Sequence, residues 1–135
     1  MRLLAVDFGG ARIGLAVGSL EGGFPRALPS IAASGTLARD AAAIAAAAKK
    51  ESAELIIIGL PLNEDGETKM SRVCRKFGEK VAELDLPVEF VDEALTSYES
   101  ESVMKEAGLK GSQIRKKVDG EAAIRILERW RAERG

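Results

Sequence analysis

The chain of 135 residues contains no histidine. That removes imidazole acid–base catalysis and histidine-ligated zinc together. It has a single cysteine, Cys74, which excludes an intramolecular disulfide and a cysteine metal cluster. With no histidine to activate that thiol, a cysteine–histidine nucleophile is excluded as well. No apolar run approaches the roughly 18–20 residues that cross a bilayer, and the opening residues carry no signal-peptide core. A cytoplasmic protein with no membrane partner is therefore expected. Any catalysis must come from carboxylates, lysines, hydroxyls or a bound metal.

What is present is the balance of an ordinary globular protein, 46% hydrophobic and 30% charged. The length suits one domain over residues 1–135, large enough for its own core. Net charge is −1, so the chain as a whole neither attracts nor repels nucleic acid. Its distribution is less even. From Gly108 onward Lys110, Arg115, Lys116, Lys117, Arg125, Arg129, Arg131 and Arg134 face only four acidic residues, a local charge of +4. Such a stretch contacts phosphates, or it is a solvated helix face with pairs such as Glu121 to Arg125.

The hydrophobic pattern orders the elements. Residues 3–6 form an apolar run suited to a strand buried on both faces. Gly9 and Gly10 break it, and residues 13–17 resume strand character, which predicts a hairpin. A turn over 19–23 leads to a third strand around 27–32, confined to a sheet edge by Pro25 and Pro29. Residues 36–52 are extremely alanine-rich. Low-complexity disorder is one reading, but Leu37, Ala41, Ile44 and Ala48 form a helical stripe. Residues 55–58 read as a central strand ending at Gly59, about 67–84 as a helix, and 88–91 as a fifth strand. Thr96 to Glu99 has the form of a capping box, with Gly108 stopping that helix. A last helix is predicted to begin near Asp119, with Ala122, Ala123, Ile126, Leu127 and Trp130 on one face. A meander feeding two right-handed crossovers gives an α/β fold, a mixed sheet with helices on both faces.

Three places hold carboxylates where chemistry would be expected. Asp7 ends the first apolar strand, where a buried carboxylate costs several kcal/mol unless paired, hydrogen-bonded or metal-bound; the alternative is a turn aspartate. Asp92 and Glu93 end the fifth strand, on the side where ligands of open α/β sheets gather, or else they orient the next helix. Asp119 precedes Gly120, so it is either a ligand or a helix N-cap. Converging carboxylates repel unless a cation offsets them. An oxygen-only set suits a hard divalent cation such as Mg²⁺ or Mn²⁺. Asn63, in the loop over 59–66, either contacts phosphate or simply makes a turn.

Four segments together carry a resemblance: residues 7–17 (DFGGARIGLAV), 59–66 (GLPLNEDG), 92–97 (DEALTS) and 118–123 (VDGEAA). In order and spacing the chain resembles the YqgF/RuvX family over nearly its whole length. That family is described both as Holliday junction resolvases and as nucleases maturing the precursor of 16S ribosomal RNA. The resemblance implies an RNase H-like fold with a five-stranded sheet of order 3-2-1-4-5. It also implies that Asp7, Glu93 and Asp119 are the metal-binding catalytic carboxylates. Two positions depart from the family pattern: Ala94 stands where arginine is usual after Asp-Glu, and Ala11 where lysine is frequent. Each removes a cation that would bind phosphate near the centre.

The reading expected from the sequence is a metal-dependent endonuclease acting on structured nucleic acid, foremost the 16S rRNA precursor, as a monomer or weak homodimer. Arg12, Asn63, Arg115, Lys116 and Lys117 would position the backbone without reading sequence. A Holliday junction resolvase is the alternative substrate class. A non-catalytic RNA-binding assembly factor is a further one, made credible by Ala94. Half of an actin-like ATP-binding kinase shares the topology, but such proteins close two similar domains over the nucleotide.

Overall fold

The computed structural model describes residues 1–93 and 111–134, with the side chains of 111–119 outside that description. Five strands form one sheet: β1 (Arg2–Phe8), β2 (Arg12–Ser19), β3 (Gly22–Ala32), β4 (Leu55–Leu60) and β5 (Val88–Asp92), in the order β3-β2-β1-β4-β5. β1, β2 and β3 are an antiparallel meander, whereas β1–β4 and β4–β5 are parallel. The two parallel neighbours are reached through α1 (Leu37–Lys50) and α2 (Lys69–Ala82), and α3 (Gly111–Arg134) follows β5 in the chain. The expected sheet order, and the expected edge position of the proline-bearing strand, are both observed. β3 begins at Gly22, ahead of the predicted start.

Alternation along the strands sends successive side chains to opposite faces. Leu4, Val6 and Phe8 of β1 join Ile56 and Ile58 of β4 beneath α1 and α2. Leu3 and Ala5 join Leu55, Ile57 and Val91 against Ile126, Leu127 and Trp130 of α3. The alanine-rich segment is a helix whose buried residues include Ala41, Ile44 and Ala48, with Leu37 packed at the margin. The closest backbone neighbour of α1 is α2 rather than a strand. Phe8 stacks on Phe77 of α2, ring centroids 4.5 Å apart, which ties the end of β1 to that helix.

α2 is anchored at its start by a reciprocal cap. Thr68 Oγ1 accepts the Ser71 N–H at 3.0 Å, Ser71 Oγ accepts the Thr68 N–H at 2.8 Å, and Thr68 donates to the Pro61 carbonyl at 2.7 Å. Serine replaces the usual glutamate at the third helical position, so the motif does not stand out in the sequence. Thr68→Ala loses both the cap and the tie to the loop after β4. It should cost about 1–2 kcal/mol in urea unfolding; a loss of no more than about 0.3 kcal/mol would show the cap to be incidental. The capping box predicted over Thr96 to Glu99 and the stop at Gly108 lie outside the described residues.

One boundary is corrected. The last helix does not begin near Asp119 but at Gly111, so Asp119 is inside the helix and is not its N-cap. Gly120 suggested a start because glycine weakens a helix interior. Here it is retained by packing: a Cβ on Gly120 would lie 2.8 Å from Ala27 Cβ. The expected buried face of this helix is observed in full, with Ala122, Ala123, Ile126, Leu127 and Trp130 all buried.

Candidate acidic site at the carboxyl ends of the parallel strands

Asp7 shares the parity of Leu3 and Ala5, so it stands on the α3 face of the sheet near the end of β1, half-buried. Glu93 follows β5. Its N–H donates to the Leu60 carbonyl at 3.0 Å, which extends the ladder with β4 by one residue. It shares the parity of Val91, and of Glu89, whose carboxylate accepts the Trp130 indole N–H at 3.1 Å. Glu93 therefore faces α3, and alternation turns Asp92 to the other side.

Between the two strands lies Gly59 of β4. A Cβ there would lie 2.9 Å from the Glu93 carboxyl carbon and 2.6 Å from Ile126 Cδ1. The Glu93 side chain thus leans across the bare glycine backbone toward β1, where its carboxyl and that of Asp7 are in hydrogen-bond contact. Glu93 is only 8% exposed. Burial pushes its carboxyl up to about 9, with the Asp7 charge and hydrogen bond adding to the shift and Asp92 contributing least. Gly59 went unassigned in the sequence because a glycine at a strand end reads as a turn.

Two carboxyl groups held together in a poorly hydrated place are a destabilising arrangement unless a proton or a cation lies between them. The donors are all oxygen, which fits a hard divalent cation. Among the described residues no group of three acidic, cysteine or histidine side chains forms a metal cage. Asp119 is placed by its backbone in α3, the helix that covers this same face. Cys74 takes no part: its thiol is pushed up to about 12, mainly by burial, with the Glu93 and Asp7 carboxylates adding to it.

Of the remaining predicted residues, Arg12 and Asn63 lie at the same end of the sheet. Arg12 opens β2, and its carbonyl accepts the Gly9 N–H at 3.0 Å, closing the loop next to Asp7. Asn63 forms a tight turn with Gly66 through paired backbone bonds, and its Oδ1 accepts the Asp65 N–H at 2.9 Å. That oxygen is engaged in the turn; the amide nitrogen is left as its donor. Arg115, Lys116 and Lys117 lie in the first half of α3. Ala94 lies outside the described residues. Among the other basic residues of this helix, Arg131 donates to the Ser19 and Gly23 carbonyls, Arg134 pairs with Glu89 over the Trp130 ring, and Arg129 pairs with Glu133. Arg131 and Arg134 tie α3 to the sheet, whereas the Arg129 pair lies within the helix.

A mixed five-stranded sheet of order 3-2-1-4-5, with helices on both faces, is an RNase H-type fold of the kind seen in RuvC. The Thermus thermophilus RuvC structure matches it with a TM-score of 0.54 over 96% of each chain, at 14% identity. The chain belongs to the RuvX family, described as Holliday junction resolvase, which matches residues 1–132. It is therefore a member of a nuclease family. A relative from Anaeromyxobacter dehalogenans, named "Putative pre-16S rRNA nuclease", is 42% identical over 132 residues, 96% of each chain. The fold also recurs in a ROK family protein from Streptococcus pneumoniae TIGR4, with a TM-score of 0.52 at 16% identity, but this chain covers only 40% of that one. No helix among the described residues is long and apolar enough to cross a membrane.

Proposed function

We propose that this chain is a divalent-metal-dependent endonuclease that cuts the precursor of 16S ribosomal RNA. The observation that carries the reading is the contact between Asp7 and Glu93 across the bare backbone of Gly59. A fold has no use for two facing carboxylates at that depth, whereas a nuclease does. In this reading Asp7 and Glu93 hold the cation, Mg²⁺ or Mn²⁺, and Asp119 completes the set from α3. Such a cation supplies Lewis-acid polarisation of the phosphoryl oxygen and acidification of a water.

The chain's own groups do the rest. Asp7 and Glu93 must both be ionised to act, so the proton that burial keeps on Glu93 leaves when the site is loaded. Arg12 and the Asn63 amide nitrogen hold phosphate oxygens at the rim. Arg115, Lys116 and Lys117 hold the strand through backbone contacts that carry no sequence information. The rRNA precursor is preferred to a DNA junction on the name of the relative at 42% identity. The kinase-like reading is disfavoured, because the nuclease family matches residues 1–132.

The test is cleavage of end-labelled 16S precursor RNA and of a four-way DNA junction, with Mg²⁺, with Mn²⁺ and with chelator. Precursor RNA should be cut in the presence of metal and left intact with chelator, and Glu93→Gln should lose at least about 100-fold in rate. Cleavage that survives chelation, or a fully active Glu93→Gln, would remove the proposed centre. Tight RNA binding with no turnover under any metal would favour the assembly-factor reading.

A further inference from the structure

Three polar side chains are buried among the described residues: Asp40, Ser71 and Glu93. Ser71 is satisfied inside the α2 cap, and Glu93 belongs to the acidic pair. Asp40 is accounted for by neither. It stands in the first turn of α1, 3% exposed, and its Oδ1 accepts the Ser34 N–H at 2.9 Å. Its second oxygen accepts no hydrogen bond among the described residues, yet it is not sealed in the core. Asp40 forms part of the wall of a cavity of about 200 Å³. Phe8, Leu37, Met70 and Val73 make the apolar walls of that cavity, and Gly9 and Gly10 a wall without side chains.

The position of this cavity matters as much as its chemistry. Gly9 is two residues beyond Asp7, which limits their Cα separation to about 7 Å. The cavity thus opens beside the acidic pair, at the same end of the sheet but on the α1 and α2 face. It is smaller than the roughly 300–1,000 Å³ of pockets that take whole drug-sized ligands, so it takes a fragment. Enzymes that act on structured nucleic acid commonly splay a base into such a space and read its hydrogen-bonding edge between apolar side chains.

We propose that this cavity receives one guanine base of the substrate strand, turned out next to the bond that is cut. The inference rests on the nuclease reading above and adds a sequence preference to it. A carboxylate offers only acceptors, on two oxygens with several lone-pair sites. Guanine alone among the four bases presents two adjacent donors, N1–H and the N2 amino group, to match both oxygens. The Oδ1 that already accepts from Ser34 keeps a further lone pair. Adenine and cytosine set a ring acceptor beside their amino group, and uracil sets a carbonyl on each side of its single N–H. Each of those would face the carboxylate with a repelling atom.

The test measures GMP, AMP, CMP and UMP binding to the full chain by amide chemical shifts at Phe8, Gly9 and Asp40. GMP should bind at least about tenfold tighter than the other three, as expected of a bidentate base contact. Asp40→Asn should erase that preference. Ala33 also lines the cavity; Ala33→Leu, which narrows it and leaves the carboxyl in place, should weaken GMP binding, so the proposal stays testable if the Asp40 variant does not fold. Equal affinity for all four nucleotides, no binding in the millimolar range, a GMP preference unchanged in Asp40→Asn, or a GMP affinity unchanged in Ala33→Leu would overturn it. Separately, precursor RNAs with each base around the cut permuted should show an about tenfold preference for guanine at one position. Cleavage without that preference overturns the pocket and leaves the nuclease standing. Specific GMP binding with no cleavage of any nucleic acid removes the nuclease reading and keeps the guanine site.

Discussion

Asp7→Asn is expected to lower precursor cleavage by about 10³-fold while raising the melting temperature of the metal-free protein at pH 8 by several degrees. The loss follows because a positioned charge acting in a poorly hydrated site is worth about 10²–10³ in rate or more, and amide oxygen is a weak ligand for a hard cation. The gain follows from the cost of the site itself. Glu93 is raised to about 9 by burial first and by Asp7 next. A glutamate free in the unfolded chain titrates near 4.5, so across that window the folded protein holds a proton that the unfolded chain releases. Stability is therefore greatest at the acid end and falls as pH rises through the folded value, with a slope of up to about 1.4 kcal/mol per pH unit. Removing the Asp7 charge lowers the folded value, so the fall in stability ends at a lower pH. Thermal melts from pH 5 to 9 in chelator measure it. Superimposable profiles for wild type and Asp7→Asn would mean that the two carboxylates do not interact. Saturating Mn²⁺ should restore wild-type stability at pH 8 by binding only the folded state, and should do far less for the variant.

Gly59→Val is expected to be the most damaging single change that alters no charge. Its branched side chain would have to occupy space 2.6 Å from Ile126 Cδ1 and 2.9 Å from the Glu93 carboxyl carbon. Overpacking of this kind costs about 1–3 kcal/mol. Relief can come only from lifting α3 or pushing Glu93 away from Asp7. A displacement of about 1 Å at a reacting centre costs on the order of 100-fold in rate, so activity should fall with stability. Gly59→Ala should do the same in milder form. Gly10→Ala is the contrast for stability, since a Cβ there meets nothing within 4 Å. Urea melts and cleavage rates on the three variants separate these effects. A stable, active Gly59→Val would show that Glu93 does not need to cross β4 to reach Asp7.

Much of the fold is legible in the residue pattern. The apolar run over 3–6, the glycine-broken hairpin and the two prolines of β3 are local signals, and they order the sheet without knowledge of the packing. The α1 stripe and the buried face of α3 are equally local, because helical periodicity alone selects them. The start of α3 is not, because the glycine that reads as a boundary is retained by contact with Ala27 on a distant strand. The turn at Asn63 likewise depends on a contact seen only in the folded chain, its Oδ1 accepting the Asp65 N–H, while its amide nitrogen stays open to the proposed phosphate contact.

For the acidic pair the division is sharper. By itself the sequence determined the chemistry available: with no histidine and one cysteine, only oxygen ligands remain, and Asp7 ends a strand too apolar for an idle carboxylate. It also placed Asp92 and Glu93 together at the end of β5, where only the family resemblance chose between them. Tertiary structure decided which of the two faces α3, because side-chain direction on a strand depends on register with β4, and the Glu93-to-Leu60 bond sets Glu93 on that face. The bare backbone at Gly59 and the buried Asp40 carboxyl beside the cavity were likewise decided only there. Each depends on atoms brought together from far apart in the chain, by packing that no local pattern encodes.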